Sequence, residues 1–304
     1  MAKQMKVRER SNKLERREWA AGYLFILPNL IGFLVFTAIP VVMGFIVSLT
    51  SYTGFGKLNF IGITNYINMF KDSSFVIALK NNMFYTLTSV PLTILFSLLL
   101  ALMLNRKMYG AGVFKTIYFF PNLTSMVAVG CVWLQLLNSK NGPVNQLLMA
   151  MGVENPPKWF WGTTTAMISI VIVVVWKQAG YYMIMFLGGL KNIPAHLYES
   201  AKIDGASPSK TFRYITWPML SPTTFMVTIF TFIASFQVFD IINVTTEGGP
   251  GRNTQVLVMR VYYEAFRNGK MGFASAIGYF LFLIVFVLTL IQWQAQKKWV
   301  NDDM

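Results

Sequence analysis

The chain has 304 residues, of which 55% are apolar, 15% aromatic and 12% charged, and its 26 Lys/Arg against 12 Asp/Glu give a formal net charge of +14. Soluble domains carry about a quarter charged residues, so an ordinary soluble enzyme is excluded; with no soluble basic domain, the positive charge reads as membrane orientation and not as a nucleic-acid surface. One cysteine, Cys131, and one histidine, His196, exclude an internal disulfide and a zinc site built from several soft ligands.

A helix crossing hydrocarbon satisfies its own backbone and needs about 20 mostly apolar residues. Six segments qualify: 20–49, 83–104, 116–137, 163–190, 222–246 and 271–293. The predicted fold class is therefore all-α, a polytopic membrane protein of about six helices. Pro28, Asn29 and Pro40 interrupt the first segment, Pro91 is a candidate kink in the second, and Lys177 and Asp240 are the only formal charges inside the spans. Cys131, in the middle of the third, reads as a small packing residue.

The 19-residue leader carries seven Lys/Arg and is followed by an apolar run of 30, too long for a cleaved signal core, so the leader is expected to stay attached. Basic residues remain on the cytoplasmic side. That places the N-terminus inside, and six crossings return the C-terminus inside. On this topology the inside segments hold 16 Lys/Arg and the outside loops nine. The leader (1–19) reads either as a plain topology anchor or as an amphipathic segment on the anionic inner leaflet.

The inside loop at 191–221 is not featureless. Pro194 starts a helix, AHLYESAKID continues it without a breaker, and Gly205 ends it. Ser207 is an N-cap, Pro208 takes the first helical position, and KTFRYITW leads to Pro218. Charges interleaved with Leu197, Tyr198, Ile203, Phe212 and Ile215 suit a docking surface; a plain interfacial linker is the alternative.

The run E-S-A-K-I-D-G-A, followed by I-T-W-P, resembles the EAA loop of binding-protein-dependent ABC importer permeases, written E-A-A, three residues, G, nine residues, I-x-L-P. Glu199, Ala201, Gly205, Ile215 and Pro218 fall in register, while Ser200 replaces an alanine and Trp217 a leucine. LPNLIGFLVFTAIP (27–40), NFIGITNYINMF (59–70), TSVPLTILFSLLLALMLNR (88–106), SFQVFD (235–240) and TTEGGPGRNTQVLVMRVYYEAF (245–266) are similar to the sugar-importer branch serving maltose, other oligosaccharides and glycerol phosphate. The resemblance implies a type I ABC importer permease fold over 20–304. It implies that Glu199, Ser200, Ala201, Asp204 and Gly205 dock a separate ATPase. It also implies a second homologous permease, two ATPase subunits, an extracellular or periplasmic sugar-binding protein and a bacterial cytoplasmic membrane. No G-x-x-x-x-G-K-[ST] phosphate loop occurs in the chain. ATP and Mg are therefore expected on the partner, and no cofactor, metal or catalytic residue is assigned here.

Polar residues at membrane depth are costly and mark pathways. The fourth span offers Trp176, Lys177, Gln178 and Tyr181; the fifth offers Thr231, Ser235, Gln237, Asp240 and Asn243. Sugars present hydroxyls and apolar ring faces, so hydrogen-bonding groups beside aromatic platforms suit them. By resemblance to maltose-type permeases, Trp176, Gln178, Tyr181, Thr231 and Ser235 fall where sugar contacts occur, with Asn122 a weaker candidate and Gln237 added from the polar row. Interhelical packing explains each residue singly as well. Lys177 and Asp240 raise the hypothesis of an ion pair. An ion-coupled secondary transporter is the alternative function, but the carboxylate cluster and inverted repeat it commonly shows are not evident.

Overall fold

The computed structural model describes residues 2–106 and 109–299, with side chains from 15 to 296 apart from that gap. The leader's charges before Glu15, together with Lys107, Lys297 and Lys298, lie outside the described side chains. Apart from one isolated bridge between Thr50 and Phe60, the regular structure of the described residues is helical, as expected.

Helix α1 (Ala2–Phe33) carries the leader directly into the first apolar run, and a π turn at Leu34–Ala38 joins it to α2 (Ile39–Ser48). The cause is Pro40, which has no N–H for the Phe36 carbonyl. The ladder opens one residue before it, where the Ile39 amide bonds the Leu34 carbonyl. Helix α3 (Thr64–Lys71) is tied back by Asn65, whose Nδ2 donates to the Ser48 and Thr50 carbonyls at 2.8 Å.

Helix α4 (Ser73–Leu104) begins ahead of the expected start at 83 and passes through Pro91. Asp72 caps it by accepting from the Ser74 amide at 2.8 Å, and the polar Asn81 and Asn82 are absorbed by bonds to the outer loop described below. The third crossing, expected as one helix over 116–137, is two: α5 (Ala111–Leu123) and α6 (Met126–Leu136), bent by 101°. Thr124 is extended between them and its hydroxyl bonds the Pro121 carbonyl at 2.7 Å. Cys131 lies exposed on α6 and not in the packing its position implies.

Helix α7 (Pro143–Ala150) leads to α8 (Ala166–Lys191), then come α9 (Ala195–Ile203), α10 (Pro208–Thr211), a second π turn at Phe212–Thr216, α11 (Trp217–Met219) and α12 (Ser221–Phe236). The second π turn has the same cause as the first, since Pro218 cannot serve the Tyr214 carbonyl and the Trp217 amide bonds Phe212 instead. The expected fifth crossing, 222–246, is also corrected. Its helix stops at Phe236, the backbone breaks at Gln237–Phe239, and α13 (Asp240–Thr245) resumes. Helix α14 (Leu257–Tyr262), a third π turn at Tyr263–Arg267 and α15 (Met271–Trp299) complete the chain. The six expected crossings correspond to four helices long and apolar enough to span a membrane and two bent pairs, each of which counts as a crossing if its two halves form one span; the second pair is α10–α11 with α12 at 64°.

The centre of the bundle is α8, two thirds buried across its most apolar window, whereas the first crossing is 0% buried over its own. Gly180 makes the centre possible: a Cβ there would stand 1.8 Å from the Tyr118 carbonyl oxygen, so α5 packs backbone to backbone on α8. One core joins α8 to α4, α6, α13 and α14 through Tyr85, Val129, Val174, Ile241 and Met259. A second, toward the inside end, joins Leu98, Leu104, Phe186, Leu190 and Leu220.

Candidate functional site

The inside loop is built by local signals. Pro194 precedes α9, whose C-terminus closes with the Gly205 amide on the Lys202 carbonyl at 3.2 Å and the Ala206 amide on Ala201 at 2.9 Å. This closure requires the left-handed φ of +67° at Gly205. Ser207 accepts from the Lys210 amide at 3.4 Å and Pro208 begins α10. Tyr198 and Thr216 share a 3.2 Å hydroxyl bond that clasps α9 to the second π turn.

Exposure divides the loop into two faces. Ala201 is 8% exposed and packs inward, whereas Ile203 is 86% exposed. Glu199, Ser200, Asp204 and Gly205 are exposed with it, and Glu199 and Ile203 lie one turn apart. A Cβ on Gly205 would meet nothing within 4 Å, so the space beyond it is open. Ile203 is thus an exposed apolar side chain beside the exposed carboxylates of Glu199 and Asp204 and an open glycine turn.

The membrane candidates do not share one face. Trp176 (47% exposed) stands edge-on to Trp133, and Tyr181 (42% exposed) is edge-on to Tyr182. Gln178 is half-buried and, two residues from Trp176, projects from the opposite side of α8. Asn122 is half-buried at the α5–α6 break, and Gln237 is exposed at the end of α12. Thr231 and Ser235 are buried, and their hydroxyls are engaged. Thr231 donates to Val227 O at 2.7 Å, while Ser235 donates to Phe232 O at 2.7 Å and pairs with Thr86 of α4 at 2.9 Å.

Lys177 is buried, and its Nζ donates to the Asn122 carbonyl at 3.2 Å, at the C-terminal end of α5 where the bend frees acceptors. The Lys177–Asp240 ion pair is not formed. Asp240 is exposed, and both ion pairs among the described residues belong to Arg260.

Those pairs reveal what the sequence reading missed. On the outer side Arg260 bridges Asp72 and the buried Glu264, Arg252 donates to Ser74 at 2.8 Å, and Asn81 donates to the Arg252 and Gln255 carbonyls at 2.8 and 2.9 Å. The 246–264 segment is thereby fastened to the outer end of α4. Burial alone would raise the Asp72 carboxyl, but the Ser74 amide and the Arg260 guanidinium outweigh it and hold it below the ordinary carboxylate range. The adjacent Asn81 and Asn82, in the third turn of α4, were the one local hint of polar contact at this end, and they do not identify Asp72 and Arg260 as partners.

Comparison with known proteins gives a consistent picture. The family model described as "Binding-protein-dependent transport system inner membrane component" matches residues 79–300. A probable ABC transporter permease protein, YesP, of Bacillus subtilis (strain 168) is 34% identical over 95% of this chain and 94% of its own length. The lactose transport system permease protein LacF of Rhizobium radiobacter is 34% identical over 94% and 97%, and the trehalose/maltose transport system permease protein MalF of Thermococcus litoralis is 34% identical over 92% and 95%. Among solved structures, a chain of a bacterial alginate ABC transporter in complex with its alginate-bound periplasmic protein superposes with a TM-score of 0.83 at 24% identity, covering 94% of this chain and 96% of that one; it shares the fold.

Proposed function

The chain belongs to the family of inner membrane components of binding-protein-dependent transport systems, and from that premise we propose that it forms half of the translocation pathway of an ATP-driven sugar importer. The relatives named for lactose and for trehalose/maltose favour an oligosaccharide as the substrate class. A second homologous permease supplies the other half, two separate ATPase subunits bind ATP and Mg, and an external binding protein delivers the sugar. The chain itself hydrolyses nothing.

The observation that carries this reading is the outward face of α9, with Ile203 86% exposed beside Glu199, Asp204 and the open space at Gly205. An ATPase seated there pushes α9 when it closes on nucleotide. Because Leu197 and Tyr198 of α9 pack against the core at the inside ends of α4, α8 and α12, and Tyr198 is clasped to Thr216, that push reaches the bundle. Nucleotide binding drives the change only through its different affinity for the two states of the bundle.

Along the pathway, Trp176 and Tyr181 are assigned as aromatic platforms and Gln178, Gln237 and Asn122 as hydrogen-bonding groups. Ser235 is assigned to fixing α12 against α4 through Thr86, while Thr231, whose hydroxyl bonds the Val227 carbonyl of its own helix, is a buried neighbour of the pathway. The test is reconstitution in proteoliposomes with each component omitted in turn. Uptake of a binding-protein ligand is expected only with both permeases, the ATPase, the binding protein and ATP. Uptake driven by a proton or sodium gradient without the ATPase overturns the assignment.

A further inference from the structure

A cleft of about 540 Å³ lies behind the docking loop, between the inside end of α4, α9 and the second π turn. Its apolar wall includes Leu102 and Phe212, its polar wall the Tyr198–Thr216 hydroxyl pair, and its rim carries Arg106 and Lys202. Neither cation has a side-chain hydrogen bond or ion pair among the described residues, and no carboxylate lines the cleft. Lys202 follows Tyr198 by one turn of α9, on the side adjacent to the row of Glu199 and Ile203, so filling the cleft leaves the docking row uncovered.

Position decides what fits. Helix α4 ends at Leu104, so Arg106 stands just past the hydrocarbon on the side that the charge bias makes cytoplasmic, and Leu102 stands just inside it. Two unpaired cations with hydroxyl groups beside them suit a phosphodiester, and an apolar wall one turn deeper suits an acyl chain. A water-soluble anion would leave Leu102 and Phe212 unused. We propose that this cleft binds one anionic glycerophospholipid of the cytoplasmic leaflet, with its phosphate between Arg106 and Lys202 and its acyl chain running along α4. Sitting between α4 and the docking loop, the lipid would steady the connection through which force passes.

The inference concerns this chain's own surface and does not depend on the ATPase assignment. The full chain, with the subunits that copurify, is placed in nanodiscs of phosphatidylcholine with or without phosphatidylglycerol and examined by native mass spectrometry. Phosphatidylglycerol is expected to remain bound to the wild type and to the charge-preserving R106K/K202R pair. Retention should fall roughly thirtyfold in R106Q/K202Q, from about fivefold for each lost cation near an anionic surface. Equal retention in all three proteins overturns the proposal, and so does displacement of the lipid by millimolar inorganic phosphate, which identifies a free-anion site. Should the neutral pair fail to assemble, phosphatidylglycerol with a photoactivatable acyl chain is used on the wild type. Labelling within 102–106 or 198–216 supports the cleft, and labelling confined to other peptides contradicts it.

Discussion

The two ends of this molecule treat similar side chains in opposite ways. On the outer side Arg252, Arg260, Asp72 and Glu264 are bonded to one another or to α4, and the segment they carry is sealed against the bundle. On the inner side Glu199 and Asp204 stand at α9 and face solvent beside an exposed isoleucine. Charges paired inside the chain fasten it to itself; those facing solvent beside an apolar residue belong to the surface proposed for the ATPase. The outer end is therefore a structural clamp, and the inner end is the proposed interface.

If that contrast holds, substitutions at the inner end should cost function without stability, and those at the outer end the reverse. The largest effect is expected at Gly205. Its φ of +67° disfavours any other residue, and an aspartate would project a new charge into the open space proposed for the ATPase. Gly205→Asp should lower reconstituted transport by tenfold or more and weaken copurification of the ATPase. The external protein should bind sugar unchanged, and the thermal stability of the isolated chain should fall by only about 1 kcal/mol.

Next comes Arg260→Met, which strands a buried Glu264 and is expected to cost about 3 kcal/mol, read as a lowered unfolding temperature in detergent with ATPase attachment retained. Lys177→Met leaves the Asn122 carbonyl without its donor and should cost about 1.5 to 2 kcal/mol. Because Lys177 does not pair with Asp240, its effect should add to that of Asp240→Asn within about 0.5 kcal/mol; strong coupling between the two would restore the ion pair that the structure lacks.

The smallest effect is a pH dependence of the clamp. The Asp72 carboxyl is lowered in the folded state, so its contribution is fully present above the unfolded carboxylate value of about 3.9 and is lost as pH falls through its depressed folded value. Unfolding temperature should be insensitive to this group between about pH 7 and 5, and the loss below that should shrink in Arg260→Met. An equally steep acid limb in that variant would detach Asp72 from the clamp.

What the sequence made legible follows the range of the forces involved. The inner loop is set by residues a few positions apart: Pro194, Gly205, Ser207 and Pro208 start and stop its helices whatever surrounds them, and both helices were read correctly. Four of the six expected spans were legible as long apolar helices for a similar reason, since hydropathy sums over a window. That same sum is blind to direction. The 101° bend at Thr124 follows Pro121 and Asn122, and the break at Gln237–Phe239 lies between Ser235 and Asp240; these local signals are averaged away in a hydropathy window, which does not distinguish a bent pair from a rod. Two of the three π turns end just before a proline, at Pro40 and Pro218, where the sequence does carry a signal. The clamp was invisible for another reason. Asp72 and Arg260 are 188 positions apart, and no local pattern announces their meeting.

The central claim is that α9 meets an ATPase on the inner side, and cysteine accessibility tests it most directly. In a Cys131→Ser background, Ile203→Cys is challenged with a membrane-impermeant maleimide in right-side-out and inside-out vesicles, with and without the assembled ATPase. The account predicts labelling only in inside-out vesicles, blocked once the ATPase is bound. Labelling from the outside, or undiminished labelling with the ATPase in place, would contradict it.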